Sequence, residues 1–382
     1  MNEQLMIPIG STLGMIAGGQ IGGFFTEAAL RMGYKVAVWD PDINAPAKRI
    51  ATQSFTGAFD NQALLTEFEN SISGFSIEWE NIPNELIEKL GKSVIGKPTS
   101  KSVALAQDRI KEKNFLTNNN FPVTEYLGIE SVTELEKVSF GFPWIIKTAT
   151  LGYDGHGQWY IGNKNDIEEN STLQFAKGSL VVEKVVEYQC EISVVVGMDD
   201  EHNMIAYPPT ENIHEKGILK MSISPARISQ QLQKDATKLA STVIKSMNDP
   251  GIFCVEMFLT NNNELIVNEI APRPHNSGHH TMDAFSISQY EHQVRILAGL
   301  PLREPIMNSK SVLLNVLGEE FTNLTNKQSL SKILKNSDGK IYLYGKSEVR
   351  PGRKMGHIVF CGTSRKELIH QAEFCQSIMS EK

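Results

Sequence analysis

The stretch TLGMIAGGQIGGFFTEAALRMGYKVAVWD, residues 12 to 40, leaves few folds open. An apolar run breaks at a glycine turn. Phe24, Ala28 and Leu30 then recur at helical spacing, Gly33 stops the helix, and VAVW forms a second apolar run ending at Asp40. Strand, helix and strand in that order make a βαβ unit, whose two strands run parallel with the helix laid across them. The α/β pattern continues to about residue 100, with strands expected at SIEWENIP and SVIGKP. The turn AGGQIG, residues 17 to 22, resembles a dinucleotide fingerprint, with Asp40 eighteen positions after Gly22. Ala17 stands where the first glycine belongs, so a helix N-terminus that faces a phosphate or merely packs tightly fits better than a nicotinamide site.

Beyond residue 100 the pattern changes. A helix is expected over 100–119. Strands follow at FPVTEYLGI, FPWIIKT, QWYIG, SLVVEKVVE and CEISVVVG. Leu232, Ala236, Leu239, Ala240, Val243, Ile244 and Met247 make one stripe of a helix over 229–247, capped by Ser229. IFCVEMFL, TNNNE and LIVNEI read as a β-hairpin, and a helix follows around 284–299. At 382 residues the chain is too long for one ordinary core and predicts two or three domains. A net charge of −7 with no long basic run argues against a nucleic-acid partner. Cys190, Cys254, Cys361 and Cys375 show no metal-ligand spacing and fit thiols in a reducing cytosol. With no basic leader and no run of eighteen apolar residues, the expected setting is cytoplasmic, away from a membrane.

Four stretches carry candidate chemistry. If the hairpin loop is Asn261 to Glu264, paired residue numbers sum to 525 and Glu256 lies opposite Glu269, with Phe258 and Val267 as apolar neighbours on that face. Facing like charges cost up to about 1 kcal/mol. A divalent cation between them removes that cost. Mg²⁺ suits the hard oxygens best, and Asn268 adds a neutral one. The alternative is two solvent-facing glutamates, and a one-residue change in the loop breaks the pairing. GYDGHGQ, residues 152 to 158, frees backbone N–H groups to wrap an anion, with Lys147 supplying charge, although a plain hairpin turn reads the same way. NEIAPRPHNSGHHT holds His275, His279 and His280, but its prolines and Gly278 favour a shaped loop over a zinc-binding helix. Lys346, Arg350, Arg353 and Lys354 with His357 read as a loop where cations meet a phosphate, or as surface charge.

Together GGQIG, GYDGHGQW, YPPTENIHEKGIL, NEIAPRPHNSGH and EVRPGRKMGH resemble the ATP-grasp superfamily, and within it the 5-(carboxyamino)imidazole ribonucleotide synthases of purine biosynthesis. The resemblance implies an α/β and α+β chain, an ATP-grasp fold behind an N-terminal Rossmann-like pre-ATP-grasp domain. The expected bounds are residues 1–110 for that domain, 111–186 for a central lid domain, and 187–382 for the C-terminal ATP-grasp domain with a terminal substrate-binding segment. It implies an ATP-dependent carbon–nitrogen ligase that joins bicarbonate to 5-aminoimidazole ribonucleotide through carboxyphosphate. Mg²⁺ (with Mn²⁺ as the alternative ion) and a homodimer are implied as well.

Carried onto matching positions, the ATP contacts are Arg109, Lys147, the loop Gly152, Tyr153, Asp154, Gly155, His156, Gly157 and Gln158, then Glu183, Lys184, Val185, Val186, Glu191, His214, Asn268 and Glu269. The metal ligands are Glu256 and Glu269, and Arg273, His275 and Asn276 are catalytic. Glu80, Tyr153, Asp154, Lys346 and Arg353 surround the ribonucleotide, while His279 and His280 are structural. Three residues depart from the family pattern: Ala17 and Leu151 replace glycines, and His156 replaces an arginine or lysine, so a contact there is expected to be weaker or pH-dependent. A different ATP-grasp carboxylate–amine ligase, a nicotinamide oxidoreductase and a catalytically silent nucleotide-binding protein are the competing readings.

Overall fold

A computed structural model describes residues 6–152, 157–174 and 178–381. Three sheets organise it. The first is parallel: β1 (Thr12–Ile16), β2 (Lys35–Asp40), β3 (Gln53–Thr56), β4 (Gly74–Ile77) and β5 (Ile95–Gly96), in the order β3-β2-β1-β4-β5. The helix Gln20–Arg31 crosses it and buries Ile21, Phe24, Phe25, Ala28 and Ala29. Leu30 was expected on that stripe but is 38% exposed, because the buried face advances through residues 21, 24, 25 and 28.

The second sheet is antiparallel: β6 (Tyr126–Ile129), β7 (Trp144–Thr148), β8 (Gln158–Ile161) and β9 (Leu180–Lys184), in the order β6-β9-β7-β8. The single helix expected over 100–119 is two, Ser100–Ala106 and Arg109–Asn118. The break is local chemistry: the Asp108 carboxylate accepts the N–H groups of Ile110 and Lys111 at 3.0 and 3.2 Å and starts a new helix.

The third sheet has nine antiparallel strands, β10 (Tyr188–Met198), β11 (Met204–Ala206), β12 (Thr210–Glu215), β13 (Ile218–Ser224), β14 (Gly251–Thr260), β15 (Leu265–Ala271), β16 (Lys310–Leu317), β17 (Lys340–Leu343) and β18 (Lys354–Gly362). Their order is β15-β14-β10-β12-β13-β16-β18-β17, with β11 on β10. One face packs on the helix Gln230–Met247, whose Ala236, Ala240, Val243 and Ile244 meet Ile192, Val194, Phe253, Val255 and Met257. Ser229 caps that helix, accepting the Leu232 N–H at 3.2 Å. The helix Gln289–Ala298 covers part of the other face, over Val195, Cys254 and Ala271, and its far side packs on Gln20–Arg31, joining the first sheet to the third. The rest of that face, lined by Glu191, Ser193, Glu256 and Phe258, is left for the site. The basic segment is a loop only as far as Arg353. Lys354 and His357 belong to β18, and His357 is wholly buried against Phe24, Tyr342 and Tyr344, so it does not join a phosphate cluster.

Candidate functional site

Glu256 and Glu269 do face each other across β14 and β15. The reason differs from the one the sequence offered. The Thr260 N–H donates to the Glu264 carbonyl at 2.9 Å, so the loop is the three residues 261–263, one shorter than expected. Leu259 therefore pairs with Leu265 and Met257 with Val267, out of step by one. A β-bulge at Asn268 inserts the missing residue and restores Glu256 to Glu269. Val267 is accordingly not a neighbour on the site face; it is buried beneath the helix Gln230–Met247. Burial and the facing Glu256 raise the Glu269 carboxyl above the ordinary value. Burial also opposes ionisation of Glu256, but His275 and His214 outweigh it and hold Glu256 at about 2. The Asn268 Oδ1 is buried with no hydrogen-bond partner. Two carboxylates and an orphaned amide oxygen suit a hard divalent cation that keeps waters and phosphate oxygens in its shell.

Lys147, at the end of β7, donates to Glu183 on β9 at 2.8 Å, and Lys113 from the helix Arg109–Asn118 lies 3.4 Å from the same carboxylate. Burial would raise Glu183, yet the two ammonium groups pull it down to about 2. Arg109 bonds the carbonyls of Thr148 and Gly152, both at 3.0 Å, and so holds the base of the β7–β8 turn. At its other side Gly157 has φ +69° and passes so close to Thr148 that a Cβ would meet the hydroxyl at 2.7 Å. Gln158 pairs with Lys147. Tyr153, Asp154, Gly155 and His156 lie outside the described residues. Leu151, beside them, holds a left-handed φ of +63° and is exposed. Lys184 ends β9, and Val185 and Val186 lie in the link to β10. The Lys184 ammonium reaches Glu125 at 2.6 Å, and the Val185 N–H donates to Pro143 at 3.0 Å.

A buried polar chain fixes His275. Ser222 donates to Asn212, Asn212 donates to Ser193, Ser193 meets the Ser277 hydroxyl at 2.7 Å, and Ser277 meets His275 Nδ1 at 2.8 Å. His275 Nε2 then lies 3.0 Å from Glu256. Burial opposes a proton on His275, but Cys254 and Glu256 favour one, and the ring is raised to about 10. Arg273 forms a forked pair with Glu80 from the end of β4, so two residues assigned to different substrates meet. Burial opposes both charges. The pairing nevertheless lowers Glu80 and raises Arg273. Asn276, expected to be catalytic, is buried and exchanges hydrogen bonds with the Asn315 amide. His279 bonds Tyr290 at 2.6 Å and His280 meets Thr210 at 3.2 Å, so the three histidines diverge. Both His279 and His280 are held neutral by burial.

Glu191 accepts from Tyr188 at 2.7 Å and lies 2.9 Å from His214. Lys346 donates to the Lys354 carbonyl at 2.9 Å, and Arg353 donates to the Glu348 carbonyl at 2.8 Å within its own loop. Sequence reasoning missed Glu78. Its carboxylate takes the N–H groups of Gly19 and Ile21, while Asp40 takes that of Gly18 at 2.7 Å, so the N-terminal glycine turn faces side-chain carboxylates, and a pyrophosphate there would have to displace Glu78. Glu112 and Lys113 were missed too. Burial and Glu269 raise Glu112 to about 8. No local signal marks any of the three, since their partners lie far away in sequence.

Three family models match the chain in series: the ribonucleotide synthetase preATP-grasp domain over residues 10–107, the ATP-grasp domain over 114–290, and the phosphoribosylaminoimidazole carboxylase C-terminal domain over 311–371. N5-carboxyaminoimidazole ribonucleotide synthase of Bacillus subtilis (strain 168) is 34% identical over 373 residues, covering 97% of this chain and 96% of that one. N5-carboxyaminoimidazole synthetase from Staphylococcus aureus, solved with ADP, superposes with a TM-score of 0.91 at 30% identity over 97% of this chain and 98% of that one. The enzyme from Aspergillus clavatus, solved with ADP and 5-aminoimidazole ribonucleotide, gives 0.89 at 27% identity over 97% and 99%. A facing carboxylate pair and a lysine-bound glutamate thus sit within the segment that matches the ATP-grasp domain, and the likeness runs from end to end of both chains: this protein belongs to the N5-carboxyaminoimidazole ribonucleotide synthase family, with the ATP-grasp fold behind an N-terminal preATP-grasp domain.

Proposed function

We propose that the chain carboxylates 5-aminoimidazole ribonucleotide at the expense of ATP and bicarbonate, yielding the N-carboxylated ribonucleotide, ADP and phosphate. The observation that carries this is the Glu256–Glu269 pair, set close to His275 and flanked by the Arg273–Glu80 fork. Glu256, Glu269 and Asn268 would hold Mg²⁺ (or Mn²⁺), which when bound supplies charge neutralisation for the phosphates. A bicarbonate oxygen attacks the γ-phosphorus, ADP leaves, and carboxyphosphate forms. The amine nitrogen of the ribonucleotide then bonds to the carboxyl carbon as phosphate leaves, and the amine gives up a proton.

The protein's part is positioning and electrostatics. Lys147 and Arg109 stand beside the β7–β8 connection to meet phosphate oxygens, with Glu191 and His214 on β10 and β12 of the third sheet for the nucleoside. Arg273 offers a planar fork to bicarbonate, and Glu80 is placed to receive the ribonucleotide. His275, beside Glu256, is placed for the phosphate transferred. The glycine-rich segment 152–158, read from the sequence as a lid, would keep water from carboxyphosphate. Lys346 and Arg353 remain our candidates for the ribonucleotide phosphate. Residues 1–110, 111–186 and 187–382 act as the three functional units. Family likeness supports a cytoplasmic homodimer. The test is ADP release with ATP, Mg²⁺ and bicarbonate, with and without 5-aminoimidazole ribonucleotide. Strong dependence on the ribonucleotide is expected, and release indifferent to it would remove the acceptor assignment.

A further inference from the structure

β15 is an edge strand of the nine-stranded sheet, and its outer edge shows where its register changes. In a regular strand the outward-facing backbone groups recur every second residue. Here the Val267 N–H points outward, to the Pro122 carbonyl at 2.8 Å, and the next outward N–H is that of Ile270, three residues on. The switch lies at Asn268, the residue the bulge inserts. Both backbone groups freed there are taken by adjacent residues of one helix. Lys113 Nζ donates to the Asn268 carbonyl at 3.0 Å, and Glu112 Oε1 accepts the Ile270 N–H at 2.6 Å. Glu112 and Lys113 are each 2% exposed, so no water replaces either bond. Without the bulge Glu269 would share the face of Val267, in the core beneath the helix Gln230–Met247, since a one-residue slip moves a side chain to the opposite face.

We infer that Glu112 and Lys113 are positioning residues for the carboxylate pair: together they hold the Asn268 bulge and so bring Glu269 opposite Glu256. The inference rests on the reading that this pair holds the cation. Neither residue touches the cation. They act on the backbone of the strand that carries Glu269, and the Asn268 side-chain oxygen in the same bulge has no hydrogen-bond partner. Glu112→Gln keeps an oxygen for the Ile270 N–H, Glu112→Leu removes it at similar volume, and Lys113→Met removes the bond to Asn268.

Two readouts separate this role from general stability. Amide exchange of the segment 265–271, followed by mass spectrometry, is expected to speed up at least tenfold in Glu112→Leu and Lys113→Met, and to stay near wild type in Glu112→Gln. Mn²⁺ titrated into the full-length protein with ADP and followed by electron paramagnetic resonance reads the cation without turnover. Its apparent Kd is expected to weaken at least tenfold in the first two variants and not in Glu112→Gln, with Glu269→Gln as the reference for a lost ligand. Mn²⁺ affinity lost in Glu269→Gln but unchanged in both Glu112→Leu and Lys113→Met would overturn the positioning role. Affinity unchanged in Glu269→Gln would overturn the cation reading itself. Unchanged exchange in Lys113→Met would overturn the clamp even if Glu112→Leu fails to fold.

Discussion

Removing the charge of Glu183 tests the electrostatics of the site most directly. The carboxylate is 4% exposed and serves two lysines, the partly buried Lys147 at 2.8 Å and the buried Lys113 at 3.4 Å. Its folded value of about 2 lies below the ordinary 4.5. A difference of that size is worth about 3 kcal/mol, at about 1.4 kcal/mol for each pKa unit. The sign follows from linkage: a depressed carboxylate gives stability that is fully present above the unfolded value and is lost as pH falls through the folded one. Glu183→Gln is therefore expected to cost about 3 kcal/mol at pH 7, about 1 kcal/mol at pH 3, and almost nothing below pH 2. Urea unfolding followed by tryptophan fluorescence reads the difference, since Trp144 and Trp159 sit in the same four-stranded sheet as Glu183. Other carboxylates titrate over this range in both proteins, so the difference between them isolates Glu183. A deficit under about 1 kcal/mol at pH 7, or one equal at pH 7 and pH 3, would refute the reasoning.

Arg273→Lys keeps a positive charge but loses the fork that grips Glu80, and kcat/KM for ribonucleotide-dependent ADP release is expected to fall about a hundredfold. Lys220→Met leaves Glu320 buried without its ion-pair partner and is expected to cost about 3–5 kcal/mol in urea unfolding, most of it recovered by adding Glu320→Gln, which still accepts the Leu317 N–H. Ala17 holds φ +69°, so Ala17→Gly relieves about 1–2 kcal/mol of left-handed strain and gives back a similar amount through unfolded-state entropy and one buried methyl. The expected net change is within about 1 kcal/mol, and a loss above 2 would show that the strain is absent.

Periodicity made the framework legible. The helix Gln230–Met247 is the stripe its apolar residues spell out, and the opening βαβ unit is the parallel sheet its glycine turn requires. Hydrophobic spacing reports which face is buried, so it reads well wherever one face is core. The hairpin shows the limit. The expected pairing of Glu256 with Glu269 is found, yet the loop is one residue shorter and a bulge makes up the difference. Two deviations cancel, and only side chains of a helix some 155 residues earlier in sequence betray the second. The same non-locality hid Glu78, which reaches the glycine turn from 59 residues away. A buried charge has no local pattern that names its partner. Nothing in PRPHNSGH announces that the Asn276 amide exchanges hydrogen bonds with Asn315, 39 residues away.

Several charges of the site stand in pairs of opposite sign. Lys147 and Lys113 share Glu183, Arg273 grips Glu80, and His275 meets Glu256. Removing one partner of such a pair strands a buried charge and costs stability, whereas replacing both partners by apolar groups changes stability little. Their value is positional. An unpaired buried lysine or arginine would lose its charge or swing out to water, whereas a paired one stays aimed at the cleft with its desolvation already met. Under the proposed reaction, anionic substrates would exchange one negative partner for another instead of stripping water from a free cation. That exchange predicts a division of labour within the pairs: the carboxylates fix where the cations stand, and the cations do the binding. Neutralising Glu183 or Glu80 should consequently change the geometry and pH dependence of the site more than its charge complement for phosphate, whereas neutralising Lys147 or Arg273 removes the contact itself.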